Sequence, residues 1–302
     1  MDTEREPVPE AEAEAEADVA AMAPPRAAPP VAKALAAAQF EVIPLKDAFE
    51  RASVLPRGAC VTVTSSPAKG LEPTLELAER LAAAGYGVVP HLAARSVRDR
   101  AHLSDVVARL AEAGITRAFV VAGDGEEPGA YPDGLWLLRA LDEAGRPFDD
   151  VGIPGYPEGH PLIADDVLLR ALLDKQAFAS SMTTQLCFDP EAVRAWVARM
   201  RAAGVQLPMI LGLPGPADLV RVARIAARIG VADSARYVRK NRGMIGAVLR
   251  RRAFRPDPLL RALASLVADP AADLRGIHLF TFNQVEEAAA WQARALGSAR
   301  VS

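Results

Sequence analysis

Residues 87–122, which read GVVPHLAARSVRDRAHLSDVVARLAEAGITRAFVVA, decide the fold of this chain. The stretch begins and ends with short apolar runs, Gly87–Leu92 and Arg117–Ala122, which have the consecutive apolar positions of parallel strands buried on both faces. Between them, Val97–Ala113 has apolar residues at helical spacing, and Gly114 follows where a left-handed helix end favours glycine. The stretch therefore predicts a strand–helix–strand unit of a parallel sheet.

The same unit recurs along the chain from about Gln39 onward. Six further strands are predicted at Phe40–Leu45, Ala59–Thr64, Val151–Tyr156, Ser181–Phe188, Pro208–Leu213 and Gly276–Phe282. Further helices are predicted at Leu71–Ala84, Leu135–Ala144, Ile163–Phe178, Glu191–Ala203 and Ala217–Ile229. Eight such units predict an α/β fold, a closed (β/α)₈ barrel. The alternative, a doubly wound open sheet, is disfavoured because no Gly-x-Gly-x-x-Gly motif opens a helix after a strand.

Two regions depart from the regular repeat. Residues 1–34 are acidic and then rich in Ala and Pro, which predicts a disordered tail, with residues 35–302 forming the barrel domain. The start has neither the basic and apolar pattern of a signal peptide nor an Arg-rich presequence, so a cytoplasmic location is expected. Residues 232–272 are too long for one helix and carry a basic run. We interpret them as an inserted helical excursion with a solvated charged face, with phosphate or cofactor contact as the alternative.

The composition limits the class of protein. The 302 residues are 51% hydrophobic, which suits one large barrel, and the net charge of −3 provides no basic field for nucleic acid or an anionic membrane. No stretch is apolar for long enough to span a bilayer. Cys60 and Cys187 stand far apart and are predicted to be reduced core thiols, although a disulfide stays open. The absence of His-x-x-x-His and Cys-x-x-Cys motifs argues against a metal site.

Polar side chains stand at the predicted carboxyl ends of the strands, where barrel enzymes carry their active sites. Glu41 is the most informative, because a charged residue inside an apolar strand is rarely buried unless it is paired or functional. The others are Thr64, His91, Asp124, Tyr156, His160, Gln185, Asp189, Asn283 and Gln284. Each has a structural alternative: Glu41 could pair with a lysine, and the others could bond to local backbone. Because seven strands deliver such residues to one rim, the pattern favours an active site.

Several of these residues lie in motifs that resemble the methylenetetrahydrofolate reductase family, in order from about residue 38 to 297. The motifs are Phe40-Glu41-Val42-Ile43-Pro44, Pro90-His91-Leu92, Ala122-Gly123-Asp124, Gly155-Tyr156-Pro157-Glu158-Gly159-His160-Pro161, Thr184-Gln185-Leu186-Cys187-Phe188-Asp189 and Phe280-Thr281-Phe282-Asn283. The resemblance implies a (β/α)₈ barrel that holds FAD at the strand ends. Such an enzyme passes hydride from NADH or NADPH through the flavin to 5,10-methylenetetrahydrofolate, giving 5-methyltetrahydrofolate for one-carbon metabolism and methionine biosynthesis. The reverse oxidation uses the same site.

The resemblance also implies roles for particular residues. Glu41 would be the general acid that opens the five-membered ring of the folate, and Asp124 would stabilise the resulting iminium cation. The substrate-binding residues would be Gln185, Phe280, Phe282 and Gln284. The cofactor-binding residues would be Thr64, His91, Gly123, Asp124, Tyr156, His160, Arg170 and Lys175.

Some positions depart from the family's pattern. Ala122 stands where relatives often have arginine, and the helix after the Tyr-Pro motif has fewer basic residues for the FAD phosphates. One alternative is therefore a flavin-free, NADH-dependent folate reductase. Another is a catalytically silent barrel that binds folate or a partner protein, which the retained Glu41 disfavours. The choice between NADH and NADPH stays open, as does assembly into a homo-oligomer.

Overall fold

Eight parallel strands close into a barrel in the computed structural model, which describes residues 28–65, 70–123, 128–218 and 253–297. These strands are β1 (Gln39–Val42), β2 (Cys60–Val63), β3 (Gly87–Ala93), β4 (Arg117–Val121), β5 (Asp150–Gly155), β6 (Ser181–Thr184), β7 (Met209–Pro214) and β10 (Leu274–Phe280). The order around the barrel is β1-β10-β7-β6-β5-β4-β3-β2, so the first strand pairs with the last. The predicted (β/α)₈ barrel is confirmed.

Helices alternate with these strands and cover the outside of the barrel. They are α1 (Pro29–Ala36), α2 (Ala48–Ala52), α3 (Glu72–Ala83), α4 (Arg100–Glu112), α5 (Gly134–Glu143), α6 (Asp165–Lys175), α7 (Pro190–Ala202), α8 (Asp257–Ala268) and α9 (Val285–Ala295). The start of α7 follows the predicted signal: the Asp189 side chain accepts the backbone N–H of Glu191 at 2.9 Å, and Pro190 occupies the first turn.

Two predicted strands end three or more residues earlier than expected, because side chains form hydrogen bonds with backbone groups just beyond each strand end. β1 stops at Val42, since the side chain of Asn283 bonds both backbone groups of Ile43. β6 stops at Thr184, and the next side chain, Gln185, accepts the backbone N–H of Leu186 at 3.0 Å. These side-chain hydrogen bonds satisfy backbone N–H and C=O groups without continuing the sheet.

The boundary predicted for the disordered tail is wrong. Helix α1 begins at Pro29, so residues 29–34 are folded. Val31, Ala34 and Leu35 are buried at helical spacing against β10 and α8. The Leu35 carbonyl accepts a hydrogen bond from Gln292 Nε2 at 2.6 Å. The apolar spacing within an Ala- and Pro-rich segment was the signal for this helix.

The region before the last strand is only partly described. The predicted helix Ala217–Ile229 is wrong at its start, where Ala217–Asp218 forms strand β8 and pairs antiparallel with β9 (Ala253–Phe254). Residues 219–229 of that helix lie outside the described residues, as does most of the basic run, from Arg236 to Arg252. Helix α8 lies within the predicted helical excursion.

The main apolar core lies between the strands and the helices. Outward-facing residues such as Phe40, Val42 and Val61 belong to it and are almost fully buried. Neither Cys60 nor Cys187 forms a disulfide. Among the described helices, none is long and apolar enough to cross a bilayer.

Candidate active site

Glu41 faces the interior of the barrel beside a histidine of the last strand. Its neighbours Phe40 and Val42 point into the outer core, so alternation along β1 turns Gln39 and Glu41 inward. Glu41 Oε2 lies 3.3 Å from His278 Nε2, and the two side chains are 13% and 5% exposed. The ring's other nitrogen, Nδ1, lies 3.4 Å from Gln39 Oε1. The structure therefore gives Glu41 a histidine partner rather than the lysine of the structural alternative.

The backbone on both sides of Glu41 is held by the segment that follows the last strand. The Thr281 hydroxyl donates a hydrogen bond to the Glu41 carbonyl. Asn283 accepts the Ile43 N–H at 2.7 Å and donates to the Ile43 carbonyl at 3.0 Å. Asn283 has a φ of 59°, a left-handed conformation that asparagine tolerates better than most residues. Asn283, expected at the rim, therefore fixes the end of β1.

His91 lies in β3 with its ring centroid 4.7 Å from that of Phe119. Burial lowers the pKa of His91 to about 4, because a charged imidazolium would lose its hydration. The nearby Glu41 opposes this lowering, while His278 adds to it. His91 is therefore neutral at neutral pH, with one ring nitrogen that can accept a hydrogen bond.

Several buried polar side-chain atoms have no hydrogen-bond partner among the described residues. They include His91 Nε2, Gln284 Nε2 and Thr62 Oγ1, and Thr62 pairs in register with Glu41. Trp291 Nε1, in the outer core, is a further example. A buried polar group without a partner costs about 1–3 kcal/mol, so a ligand that completed these bonds would be stabilised. The interior atoms are therefore candidates for ligand contacts.

Two glycines leave space for aromatic rings inside the barrel. A Cβ atom on Gly152 would lie 2.6 Å from the Phe119 ring, and one on Gly212 would lie 2.7 Å from the Phe280 ring. The Phe280 ring in turn packs edge-on against His278, with centroids 4.7 Å apart. His91 thus packs against Phe119, which lies over Gly152 of the next strand. His278 packs in the same way against Phe280, which lies over Gly212.

A second apolar cluster, here called the rim cluster, joins the ends of β6 and β10. It consists of Leu186, Phe188, Ala217, Phe280 and Phe282. The two phenylalanines predicted to contact substrate are therefore together. Gln185, also predicted to contact substrate, directly precedes this cluster, and its backbone N–H donates to the Gly155 carbonyl at 2.7 Å.

Apart from His91 inside β3 and the two basic residues of α6, the residues predicted to bind a flavin follow three strands, β2, β4 and β5. Tyr156 and His160 follow β5 with their rings 5.5 Å apart, and His160 Nδ1 accepts the Leu162 N–H at 3.2 Å. Thr64 follows β2, where its N–H donates to the Val42 carbonyl. Gly123 follows β4 with a φ of 86°. Asp124 lies outside the described residues.

The two basic residues predicted for the FAD phosphates are not gathered into one site. Arg170 is exposed and pairs with Asp166 at 2.8 Å, one turn away on α6. Lys175 is half-buried, with Nζ 3.7 Å from the position of a Cβ atom on Gly134. Burial lowers the pKa of Lys175, and Asp133 opposes this effect. Because α6 also carries three aspartates, its residues do not fit the charge of a diphosphate.

Sequence reasoning missed Gln39, Thr62 and His278. His278 carried the same signal as Glu41, a polar residue inside a predicted apolar strand, Gly276–Phe282. Within the described ranges, no group of three or more His, Cys, Asp or Glu side chains could hold a metal ion.

Comparison with known proteins gives one family match. The family model described as methylenetetrahydrofolate reductase matches residues 40–229. Among solved structures, the chain is similar to tryptophan synthase from M. tuberculosis, with 13% identity over 95% of this chain and 98% of that one, at a TM-score of 0.46. It is also similar to dihydropteroate synthase from Thermus thermophilus, with 13% identity over 85% and 92% of the two chains, at a TM-score of 0.43.

Proposed function

Because the chain belongs to the methylenetetrahydrofolate reductase family, we propose that it reduces 5,10-methylenetetrahydrofolate to 5-methyltetrahydrofolate with a hydride from NADH or NADPH. The observation that carries this proposal is the position of Glu41. Its carboxyl group faces the barrel interior at 13% exposure, in contact with His278. An enclosed carboxyl group at the catalytic end of such a barrel suits a proton donor.

Glu41 has a specific task in this reaction. The methylene carbon of the substrate is bonded to two nitrogens, N5 and N10. When Glu41 gives its proton to N10, the bond between carbon and N10 breaks with its electron pair going to N10, which leaves an iminium cation at N5. Hydride then adds to the methylene carbon. In the reverse oxidation, the same carboxylate takes the proton back.

Neighbouring residues support binding of the folate. The rim cluster offers apolar surface to the pterin and its aromatic neighbour through Phe280 and Phe282. Gln185 would hydrogen-bond the pterin. The buried amide nitrogen of Gln284 has no partner among the described residues, so it could donate a hydrogen bond to the rest of the substrate. Asp124 would stabilise the iminium cation, although it lies outside the described residues.

FAD remains the cofactor expected from the family, but the charges on α6 favour a second candidate. Arg170 pairs with Asp166, and Lys175 lies apart from it beside Gly134. Helix α6, described over its full length, therefore presents no diphosphate site. We therefore also propose a flavin-free route, in which the hydride passes directly from the nicotinamide to the methylene carbon. Both routes use Glu41 in the same way.

The test is an anaerobic assay of the purified full-length chain with methylenetetrahydrofolate and each nicotinamide, with and without FAD. We expect turnover by the wild type. Glu41→Gln should lower kcat about 10²–10⁴-fold, because the amide has no acidic proton, while the Kd for folate stays similar. The matched control is Glu50→Gln, which changes an exposed carboxylate that pairs with Arg80 at 3.7 Å and should leave kcat unchanged.

The outcomes separate the alternatives. Wild-type turnover by Glu41→Gln would exclude Glu41 as the acid. A yellow protein whose activity requires FAD supports the flavin route, and a colourless protein active with NADH alone supports the direct route. Folate binding without any turnover by the wild type would indicate a catalytically silent barrel.

A further inference from the structure

We infer that His278 is a positioning residue that holds one carboxyl oxygen of Glu41 and leaves the other for the substrate. This inference rests on the proposed function, since it concerns the same proton donor. His278 lies in the last strand, 237 positions away in sequence, and its Nε2 reaches Glu41 Oε2 at 3.3 Å. The contact occupies one of the two oxygens through which Glu41 can exchange a proton.

Gln39 fixes which side of the histidine ring faces Glu41. The Gln39 side-chain amide lies 3.4 Å from His278 Nδ1 and so holds that side of the ring. Nε2 is then the atom that faces the carboxyl group. Gln39 and His278 are also register partners of β1 and β10, so the sheet itself holds them side by side.

Packing removes the remaining freedom of the His278 ring. The residue is 4% exposed, and its ring lies edge-on to Phe280. On the other side of β10, the register partner of His278 is Gly212, which has no side chain to displace the ring. A carboxyl group bonded to such a ring loses rotational freedom before the substrate arrives, and this is how preorganisation lowers a barrier to proton transfer.

Two substitutions separate positioning from packing. His278→Phe keeps a ring beside Phe280 but removes both nitrogens, whereas His278→Gln keeps a polar group that can bond Glu41. We expect His278→Phe to lower kcat about 10- to 100-fold with little change in KM for folate, because ground-state binding is not its task. We expect His278→Gln to recover most of kcat. The solvent isotope effect on kcat should increase in His278→Phe, because the proton transfer becomes slower.

Gln39→Leu is a second variant, which removes the polar contact to His278 Nδ1 on the side of the ring away from Glu41. It should lower kcat less than His278→Phe, because the bond to Glu41 remains. His102→Gln is the matched control, since His102 lies on α4 and bonds only its own helix start. Unfolding midpoints show that each variant is folded.

Three results would overturn the inference: wild-type kcat in His278→Phe, equal losses in folded His278→Phe and His278→Gln, or a loss confined to KM. Any of these, together with an inactive Glu41→Gln, would remove the role of His278 and leave the proposed function intact. An active Glu41→Gln would instead remove the proposed function.

Discussion

At the scale of single residues, His91 shows how burial sets the charge inside the barrel. Its ring is 9% exposed and packs against Phe119, and burial lowers its pKa from 6.5 to about 4. A neutral ring beside Glu41 does not form an ion pair with it. The ring within hydrogen-bond distance of the carboxyl group is that of His278, at 3.3 Å.

The lowered pKa of His91 predicts that the folded chain is less stable in acid. Between about pH 6.5 and pH 4 the unfolded chain binds a proton at His91 and the folded chain does not, so the free energy of unfolding falls as the pH is lowered. The pKa difference corresponds to about 3 kcal/mol. Urea unfolding at pH 7, 5 and 4 should show this loss in the wild type and a smaller loss in His91→Phe.

His102, a partly buried histidine on α4, provides the comparison for this measurement. Burial lowers the pKa of His102 as well, but less than that of His91, so His102→Gln should remove a smaller part of the acid-induced loss than His91→Phe. If His91→Phe loses as much stability as the wild type between pH 7 and pH 4, the burial of His91 does not govern the effect.

At the scale of elements, the seam between β1 and β10 determines the geometry of the site. Thr281 bonds the Glu41 backbone, Asn283 bonds both backbone groups of Ile43, and His278 bonds the Glu41 side chain. All three lie in or directly after the last strand. The barrel therefore closes beside Glu41, the proposed proton donor.

Asn283→Ala should lower the free energy of unfolding by about 2–4 kcal/mol, from two lost hydrogen bonds and a left-handed backbone that alanine disfavours. Asn283→Gly removes the same bonds without that strain, so it should cost about 1–2 kcal/mol less. Chemical denaturation measures both values. A change below about 0.5 kcal/mol in Asn283→Ala would show that the seam does not depend on this side chain.

Sequence reasoning succeeded where the signal was local. Eight apolar runs were sufficient to predict the strands, and Glu41 lies inside the first of them, as predicted. The predicted strand ends were less accurate, because the side chains of Asn283 and Gln185 accept hydrogen bonds from backbone N–H groups just beyond the strands. His278 carried the same local signal as Glu41, but its contact with Glu41 depends on the register between strands that are far apart in sequence, which no motif specifies. The charge pairing on α6 likewise depends on side-chain directions that motifs do not specify.

At the scale of the whole molecule, α1 joins the start of the described chain to elements near its end. It packs against α8, α9 and β10, and buries Val31 and Leu35. Burial of two such side chains contributes about 3–6 kcal/mol. The helix is therefore part of the barrel domain, although its composition resembles the preceding tail.

Two shortened chains test this boundary. Removal of residues 1–27 should leave the unfolding midpoint and kcat unchanged, since the acidic and Ala/Pro composition predicts a disordered tail. Removal of residues 1–37 also deletes α1 and should lower the free energy of unfolding by several kcal/mol. Equal stability of the two shortened chains would show that α1 contributes nothing.

The long sequence separation between Glu41 and the residues that hold it in place also has a consequence for biosynthesis. Thr281, which bonds the Glu41 carbonyl, is 240 positions further along the chain. A ribosome adds about 5–20 residues per second, so a nascent chain carries Glu41 for roughly 12–48 s before Thr281 is made. The surroundings of the proposed proton donor are thus among the last features to be assembled, and a prematurely terminated polypeptide would hold an ordinary hydrated carboxylate instead.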